Sequence, residues 1–355
     1  MKKRIFVIIL LVIGITLVGC QTILGIANEV PENAITADTE GIPKIVDYYP
    51  FLENTLLDYK GEGNEYAEQS VFFEFIEGNR AQIKIMNAGT NIIKILENKD
   101  GILSEIYIEG EFYHIENMIN VKPENENIIL KEPLELGNLW LTKDGFTREI
   151  TGINTLIETP YKSMEALEVT TTFEEGRFQK DYFAKGIGLV ASIYTDGDSQ
   201  VKTILNSIKN KPLEHDVLVY YPLKENGITV FKDDKIVFYT NQSIEKLLED
   251  KLKNPSSDKL TSPIPEGVVI NSINLDRSSW IVRVDFSEEI LKNLNAGSAF
   301  EYEIIRSIVN TIGKFYDTEK VYISVEGIPY ESGHYAIREG EYFKVDIEGI
   351  NEFIK

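Results

Sequence analysis

Cysteine is almost absent from this sequence, with Cys20 the single one in 355 residues. One thiol cannot close an internal disulfide, and it cannot build the multi-sulfur sites that hold structural zinc. Histidine is nearly as scarce. His114, His215 and His334 are the three present, none spaced from another as in H-x-x-x-H, so no metal site is expected. Basic charge is short as well: 36 Lys and Arg stand against 57 Asp and Glu, for a net charge of -21. A chain this acidic repels phosphate, which argues against a nucleic-acid partner. No G-x-x-x-x-G-K or G-x-G-x-x-G loop occurs, so no nucleotide cofactor is expected. Long apolar runs are missing too, because the longest, Ile5 to Val18, falls short of the roughly 20 residues a spanning helix needs.

That run follows Met1, Lys2, Lys3 and Arg4, and a basic start ahead of a short apolar core reads as an export signal. Leu17-Val18-Gly19-Cys20 at its end resembles the lipobox of bacterial lipoproteins. The resemblance implies lipidation of the Cys20 thiol, cleavage before it and tethering to the membrane, facing outside the cytoplasm. Lipidation also explains an odd cysteine in an exported chain, and two acyl chains suffice for stable anchoring. An uncleaved signal anchor is the alternative.

The chain divides into a signal peptide (1–19), a flexible spacer (20–44), a β domain (45–208), a linker (209–216) around Lys211-Pro212, a second domain (217–345) and a tail (346–355). The spacer lacks any apolar period and would reach about 25–30 Å. From Tyr48 to Ile208 the pattern alternates with period two. Val71 to Phe75, Ala81 to Ile85, Ile92 to Leu96 and Leu103 to Ile108 are broken by turns such as Glu77-Gly78-Asn79 and Asp100-Gly101, which predicts hairpins. This is a mostly antiparallel domain, either a curved sheet or an open barrel. It resembles a module of clostridial-type surface lipoproteins through Tyr48-Tyr49-Pro50-Phe51, Leu130 to Leu134 with Gly137 and Trp140, and Asp181 to Val190. Pro160-Tyr161-Lys162 departs from that pattern. No activity transfers with the resemblance.

Beyond residue 217 the pattern mixes strands and helices. Ser243 opens a helix bearing Ile244, Leu247, Leu248 and Leu252 on one face. Val268 to Leu275 and Trp280 to Phe286 pair as strands. The longest helix carries Phe300, Ile304, Ile305, Ile308, Val309 and Ile312 as one stripe, with Ser298 and Glu301 spaced as a capping box. Val217 to Tyr221, Ile264 to Ile270, Val282 to Glu289, Ile308 to Ile312 and Val321 to Gly327 resemble, in order and spacing, the GerM-type domain (GerMN) of sporulation and spore-germination proteins. That resemblance implies a small α/β fold like the ring-building modules of sporulation complexes, and a role in binding or assembly rather than catalysis. Self-association is worth testing on the same ground. The overall class is therefore α+β and multidomain.

Candidate chemistry is sparse. Ser287, Asp285 and His334 could supply a hydrolase, but no G-x-S-x-G elbow surrounds a serine, and Ser287 sits where an N-cap is expected. Glu174-Glu175 and Glu288-Glu289 are adjacent pairs whose side chains diverge, unlike opposed glycosidase carboxylates. Asp196-Gly197-Asp198 opens like a calcium loop, yet Ser207 stands where the closing Glu belongs. Asn241-Gln242-Ser243 fits a glycosylation triplet, and a helix start explains it better. Tyr48, Tyr49, Phe51 and Trp140 are the candidate surface for a ligand or partner, with core packing as their alternative role. The expected function is that of a non-enzymatic envelope lipoprotein with a protein or peptidoglycan partner. A carrier with an apolar groove in the β domain is the alternative, and a cell-wall hydrolase stands third.

Overall fold

The computed structural model describes residues 43–124, 126–294 and 296–354. The signal peptide, Cys20 and the spacer up to residue 42 lie outside the described residues.

A single helical turn, α1 (Ile45–Tyr48), precedes twelve strands: β1 (Thr55–Glu62), β2 (Gln69–Glu77), β3 (Arg80–Asn87), β4 (Asn91–Lys99), β5 (Ile102–Glu109), β6 (Asn127–Lys131), β7 (Leu139–Leu141), β8 (Thr147–Glu158), β9 (Ser163–Thr172), β10 (Phe178–Ala184), β11 (Gly188–Asp196) and β12 (Ser199–Asn210). They form one antiparallel sheet in the order β6-β5-β4-β3-β2-β1-β12-β11-β10-β9-β8-β7. At the β4–β5 turn Asp100 and Gly101 both take positive φ, 53° and 74°, the backbone of a tight hairpin whose twist matches its strands. The sheet curls until its edge strands β6 and β7 meet, and side chains bridge them. Trp140 Nε1 donates to Ile128 O at 3.1 Å, Arg148 donates to the same carbonyl, and Asn138 Nδ2 donates to Lys131 O at 2.8 Å. The period-two pattern thus produces a nearly closed barrel, filled by alternate side chains such as Leu57, Val71, Phe73, Leu96, Leu103, Val169 and Leu205.

The second domain contains β13 (Leu213–Pro222), β14 (Thr229–Phe238), α2 (Ile244–Lys253), β15 (Ile270–Asp276), β16 (Ile281–Phe286), α3 (Glu289–Asn293), α4 (Ser298–Phe315), β17 (Lys320–Val325), β18 (Ile328–Pro329) and β19 (Phe343–Lys344). β13 and β14 form a hairpin, while β15, β16, β17 and β18 form a sheet in that order with β19 also on β17. β16 and β17 run parallel, which requires the crossover that α3 and α4 supply. The predicted stripe of α4 is the one it buries, with Ile304, Ile305, Ile308, Val309 and Ile312 at 6% exposure or less.

Several local expectations are corrected. Ser298 does not cap α4: Gly297 is its N-cap, without a side-chain cap bond. Glu301 is buried and accepts from Tyr330 Oη at 2.9 Å, so a tertiary partner takes the carboxylate that a capping box would use locally. Ser287 Oγ accepts a backbone N–H, but that of Val269 across the sheet at 3.0 Å rather than one in α3. Ser243 does cap α2, accepting from Lys246 N at 3.2 Å. The segment 209–216 is mostly strand, since β12 runs to Asn210 and β13 starts at Leu213. The end of the chain is also engaged, with Phe231 N bonded to Asn351 O and Phe353 N to Phe231 O.

The two domains share a buried interface. Strand β2 is buried on both faces from Val71 to Phe75, because its register shifts between Phe73 and Phe75 and its outer face meets β14. The Phe238 ring lies 5.5 Å from Phe75 and 6.5 Å from Phe72. Around this contact sit charges. Lys84 Nζ is 2.8 Å from Glu74 Oε1, both almost fully buried. Arg277 donates from Nε to both Glu109 oxygens at 3.0 and 2.9 Å and from Nη2 to Glu116 Oε2 at 2.8 Å. The second Glu116 oxygen accepts from Leu275 N at 2.9 Å. Asn241, at a φ of 67° that asparagine tolerates better than most residues, donates its N–H to Glu74 O at 2.9 Å and accepts from Ile76 N at 2.7 Å.

Two histidines at this junction are held neutral. Burial drives the His215 imidazole down to about 3, with Lys84 and His114 adding to the effect. Burial also lowers His114, against the opposing pull of Glu116. A histidine whose folded value lies below its unfolded one, about 6.5, leaves the unfolded state binding more protons at intermediate pH. Its stability contribution is complete above that value and is lost as pH falls through the folded value. Urea unfolding at about pH 7.5 and about pH 4.5 should therefore give a clearly lower midpoint in acid, and His215→Phe should shrink the difference. Equal midpoints for the native chain would contradict this assignment.

Candidate functional site

The barrel interior is not completely filled. A cavity of about 380 Å³ remains between the walls, within the range of small-molecule sites. Leu57, Val71, Phe73, Ile83 and Ile85, from β1 to β3, line one side. These follow from the alternation, since every second residue of a strand faces inward. Arg148, Asp181, Gln179, Ser192, Lys94 and Glu105 line the remainder together with apolar Leu96, Ile129, Phe183, Ile187 and Leu189. Strand β8, which carries Arg148, lies across the barrel from β2 in the strand order.

The polar side is organised by hydrogen bonds. Asp181 Oδ1 accepts from Ser192 Oγ at 2.6 Å and from Gln179 Nε2 at 2.8 Å. Burial raises the Asp181 carboxyl despite these donors and the nearby Arg148. Lys94 Nζ is 2.8 Å from Glu105 Oε2. Arg148 donates from Nε to Thr171 Oγ1 at 2.9 Å and from Nη1 to Ile128 O, so it latches β8 to β9 and β6 while standing at the cavity wall. Burial pulls its guanidinium below the ordinary value, opposed by Asp181 and Glu105, and an arginine remains charged after any such shift. The charged and polar groups of the lining are thus engaged with one another or with the strands that carry them.

The candidate aromatics fall in different places. Tyr48 and Trp140 are buried at about 4% exposure. Tyr49 is half-buried and lines the cavity, where burial and then Glu105 push its hydroxyl upward. Phe51, its ring 6.2 Å from Phe73, lines a separate depression with Tyr49, Pro50 and Gly78. The four therefore form no common exposed surface. Arg148, Asp181, Lys94 and Glu105 were missed by sequence reasoning. A signal existed, because Asp181 shares a face with Phe183, and Lys94 with Leu96, placing charge where alternation demands apolar side chains.

The remaining candidates have other partners. Asp285 accepts from Ser324 Oγ at 2.6 Å and Gly327 N at 2.7 Å, and Ser287 is bonded to Val269 as above. Glu175 sits in an exposed turn at a φ of 60°, and Gly197 turns the β11–β12 hairpin at a φ of 56°. Among the described residues, no group of three or more His, Cys, Asp or Glu side chains is placed to hold a metal ion. No described helix is long and apolar enough to cross a membrane.

The fold defines a mostly β protein in which a nearly closed antiparallel sheet is followed by a smaller GerMN-like domain. Residues 218–331 match the family described as Germane: sporulation and spore germination. The first GerMN domain of the sporulation protein GerM from Bacillus subtilis is 18% identical with a TM-score of 0.28, covering 36% of this chain and 96% of that one. A structure described as an exported protein with a YmcC-like fold, from Bacteroides fragilis, is 12% identical with a TM-score of 0.30, covering 46% of this chain and 98% of that one. A third, described as a lipoprotein of Clostridium perfringens, is 15% identical with a TM-score of 0.24, covering 37% of this chain and 91% of that one. Comparison with curated proteins finds no match.

Proposed function

We propose that this chain is a non-enzymatic envelope lipoprotein, anchored through a lipid on Cys20, whose GerMN-like domain docks a protein or peptidoglycan partner in a sporulation- or germination-linked process. The observation that carries the reading is the family match over residues 218–331, together with the export signal ending at Leu17-Val18-Gly19-Cys20. Burial of the domain interface supports a fixed arrangement in which the barrel presents the second domain to its partner. Sedimentation of the purified mature chain with peptidoglycan, and crosslinking in intact cells, test the docking role. Absence of both a crosslinked envelope protein and wall binding removes its main content. The anchor is tested separately by Cys20→Ala, which should move the protein from the membrane fraction to an unprocessed or released form while its melting temperature stays unchanged. Normal processing and full membrane retention of that variant would refute lipidation at Cys20.

A second reading, a carrier for a small ligand, is favoured by one specific observation, the unfilled space inside the barrel. A well-packed interior leaves few voids larger than a water. This one has room for about a dozen waters at ~30 Å³ each.

A further inference from the structure

The cavity in the barrel has two chemically different sides, and their unmet interactions differ. The β1–β3 side presents Leu57, Val71, Phe73, Ile83 and Ile85 beside Tyr59 and Gln69, and the Tyr59 hydroxyl already donates to Leu189 O at 2.8 Å. On the other side the acids are already supplied with donors: Asp181 by Ser192 and Gln179, Glu105 by Lys94. Arg148 differs. Two of its three guanidinium nitrogens are bonded to Thr171 and Ile128, and Nη2 has no protein partner among the described residues. A partly desolvated guanidinium with an unused donor attracts an acceptor that carries negative charge, since charge-assisted hydrogen bonds are the strong ones. An added cation would instead meet Arg148 and Lys94 and find both carboxylates occupied.

We propose that the barrel cavity binds an apolar chain ending in a single carboxylate, the chain lying against β1–β3 and the carboxylate accepting from Arg148 Nη2. This rests on the carrier reading of the barrel and adds to it the class of ligand and the residue that selects it. The arrangement also explains a cationic group inside an otherwise strongly acidic chain. Selection works through the head group, because an alcohol of equal length buries the same apolar surface but lacks the charge. Losing a hydrogen bond to a charged group is worth about a tenfold or greater change in affinity.

The test is isothermal titration calorimetry on the chain from residue 21 onward, which keeps every described residue, with decanoic acid, decanol and decylamine as probes. Decanoic acid should bind at least about tenfold more tightly than decanol, and decylamine should bind most weakly. Arg148→Gln should abolish the preference for the acid, so that decanoic acid and decanol bind alike. Decanol binding as tightly as the acid, a preference for the amine, or an acid preference that survives Arg148→Gln would each overturn the carboxylate assignment while leaving the carrier reading intact. Failure of all three probes to bind would overturn the carrier reading itself. Because Arg148 also latches β8 to β6, circular dichroism is recorded on the variant. Should it not fold, the order of the three probes on the unaltered chain decides.

Discussion

Replacing Arg277 with alanine should destabilise the protein by about 3 kcal/mol, within the 3–5 kcal/mol range for removing one member of a buried pair. The guanidinium spans the two domains, bonded to Glu109 and Glu116 on the barrel side, and the Glu116 side chain is only 7% exposed. Burial works to raise the Glu116 carboxyl, but His114 and Arg277 outweigh it and hold it below the ordinary carboxylate value. Without the arginine, two negative charges face one another at the junction and one of them is largely desolvated. Adding Glu116→Gln to the variant should restore part of the loss, since it removes the stranded charge while keeping a group that can accept from Leu275 N. Urea unfolding at neutral pH checks both expectations. A loss below about 1 kcal/mol would place the contact with ordinary surface ion pairs and remove it as a determinant of domain docking.

Phe238→Ala should cost about 3–5 kcal/mol, the usual range for emptying a buried aromatic position, and the loss should be felt in both domains. Phe238 is fully buried and belongs to β14, yet its ring packs on Phe72 and Phe75 of β2. The sequence has two tryptophans, and they divide between the domains: Trp140 in the barrel on β7, and Trp280 in the β15–β16 turn, its Nε1 bonded to Asp317 O at 3.1 Å. Single-tryptophan variants, Trp140→Phe or Trp280→Phe, therefore report each domain by fluorescence. With Phe238→Ala added, both reporters should shift to lower denaturant by the same amount, as one cooperative unit requires. A shift confined to Trp280 would mean that the barrel stands without the second domain, and that the interface contributes little to either.

How far the fold was legible follows from the range over which each signal acts. Alternation in Val71 to Phe75 and Ala81 to Ile85, with the Asp100-Gly101 turn, determined that the first domain is antiparallel β, because side-chain direction in a strand is set locally by the backbone. The stripe of α4 and the Ser243 cap were readable for the same reason. The GerMN-like words along residues 217–327 gave the second domain its class, and Leu17 to Cys20 remain the whole basis for expecting a lipid anchor. What alternation left open was whether the sheet would close. That was decided by Trp140, Asn138 and Arg148 reaching carbonyls on β6, contacts between residues that no periodicity connects.

The same limit applies to the cavity and to the other tertiary contacts. Lys94, Arg148 and Asp181 lie on three different strands, and only curling of the sheet brought them to one cavity. Glu301 looked like a capping residue until Tyr330 claimed it across the fold. Tyr48 and Trp140 looked available for a ligand, and closure of the barrel buried them. The sequence by itself determined strand alternation, helix faces, turns and the family of the second domain, because those depend on neighbours in the chain. The tertiary structure decided the cavity, the charged junction around Arg277 and the shared core at Phe238, because each depends on desolvation and on partners far away in sequence.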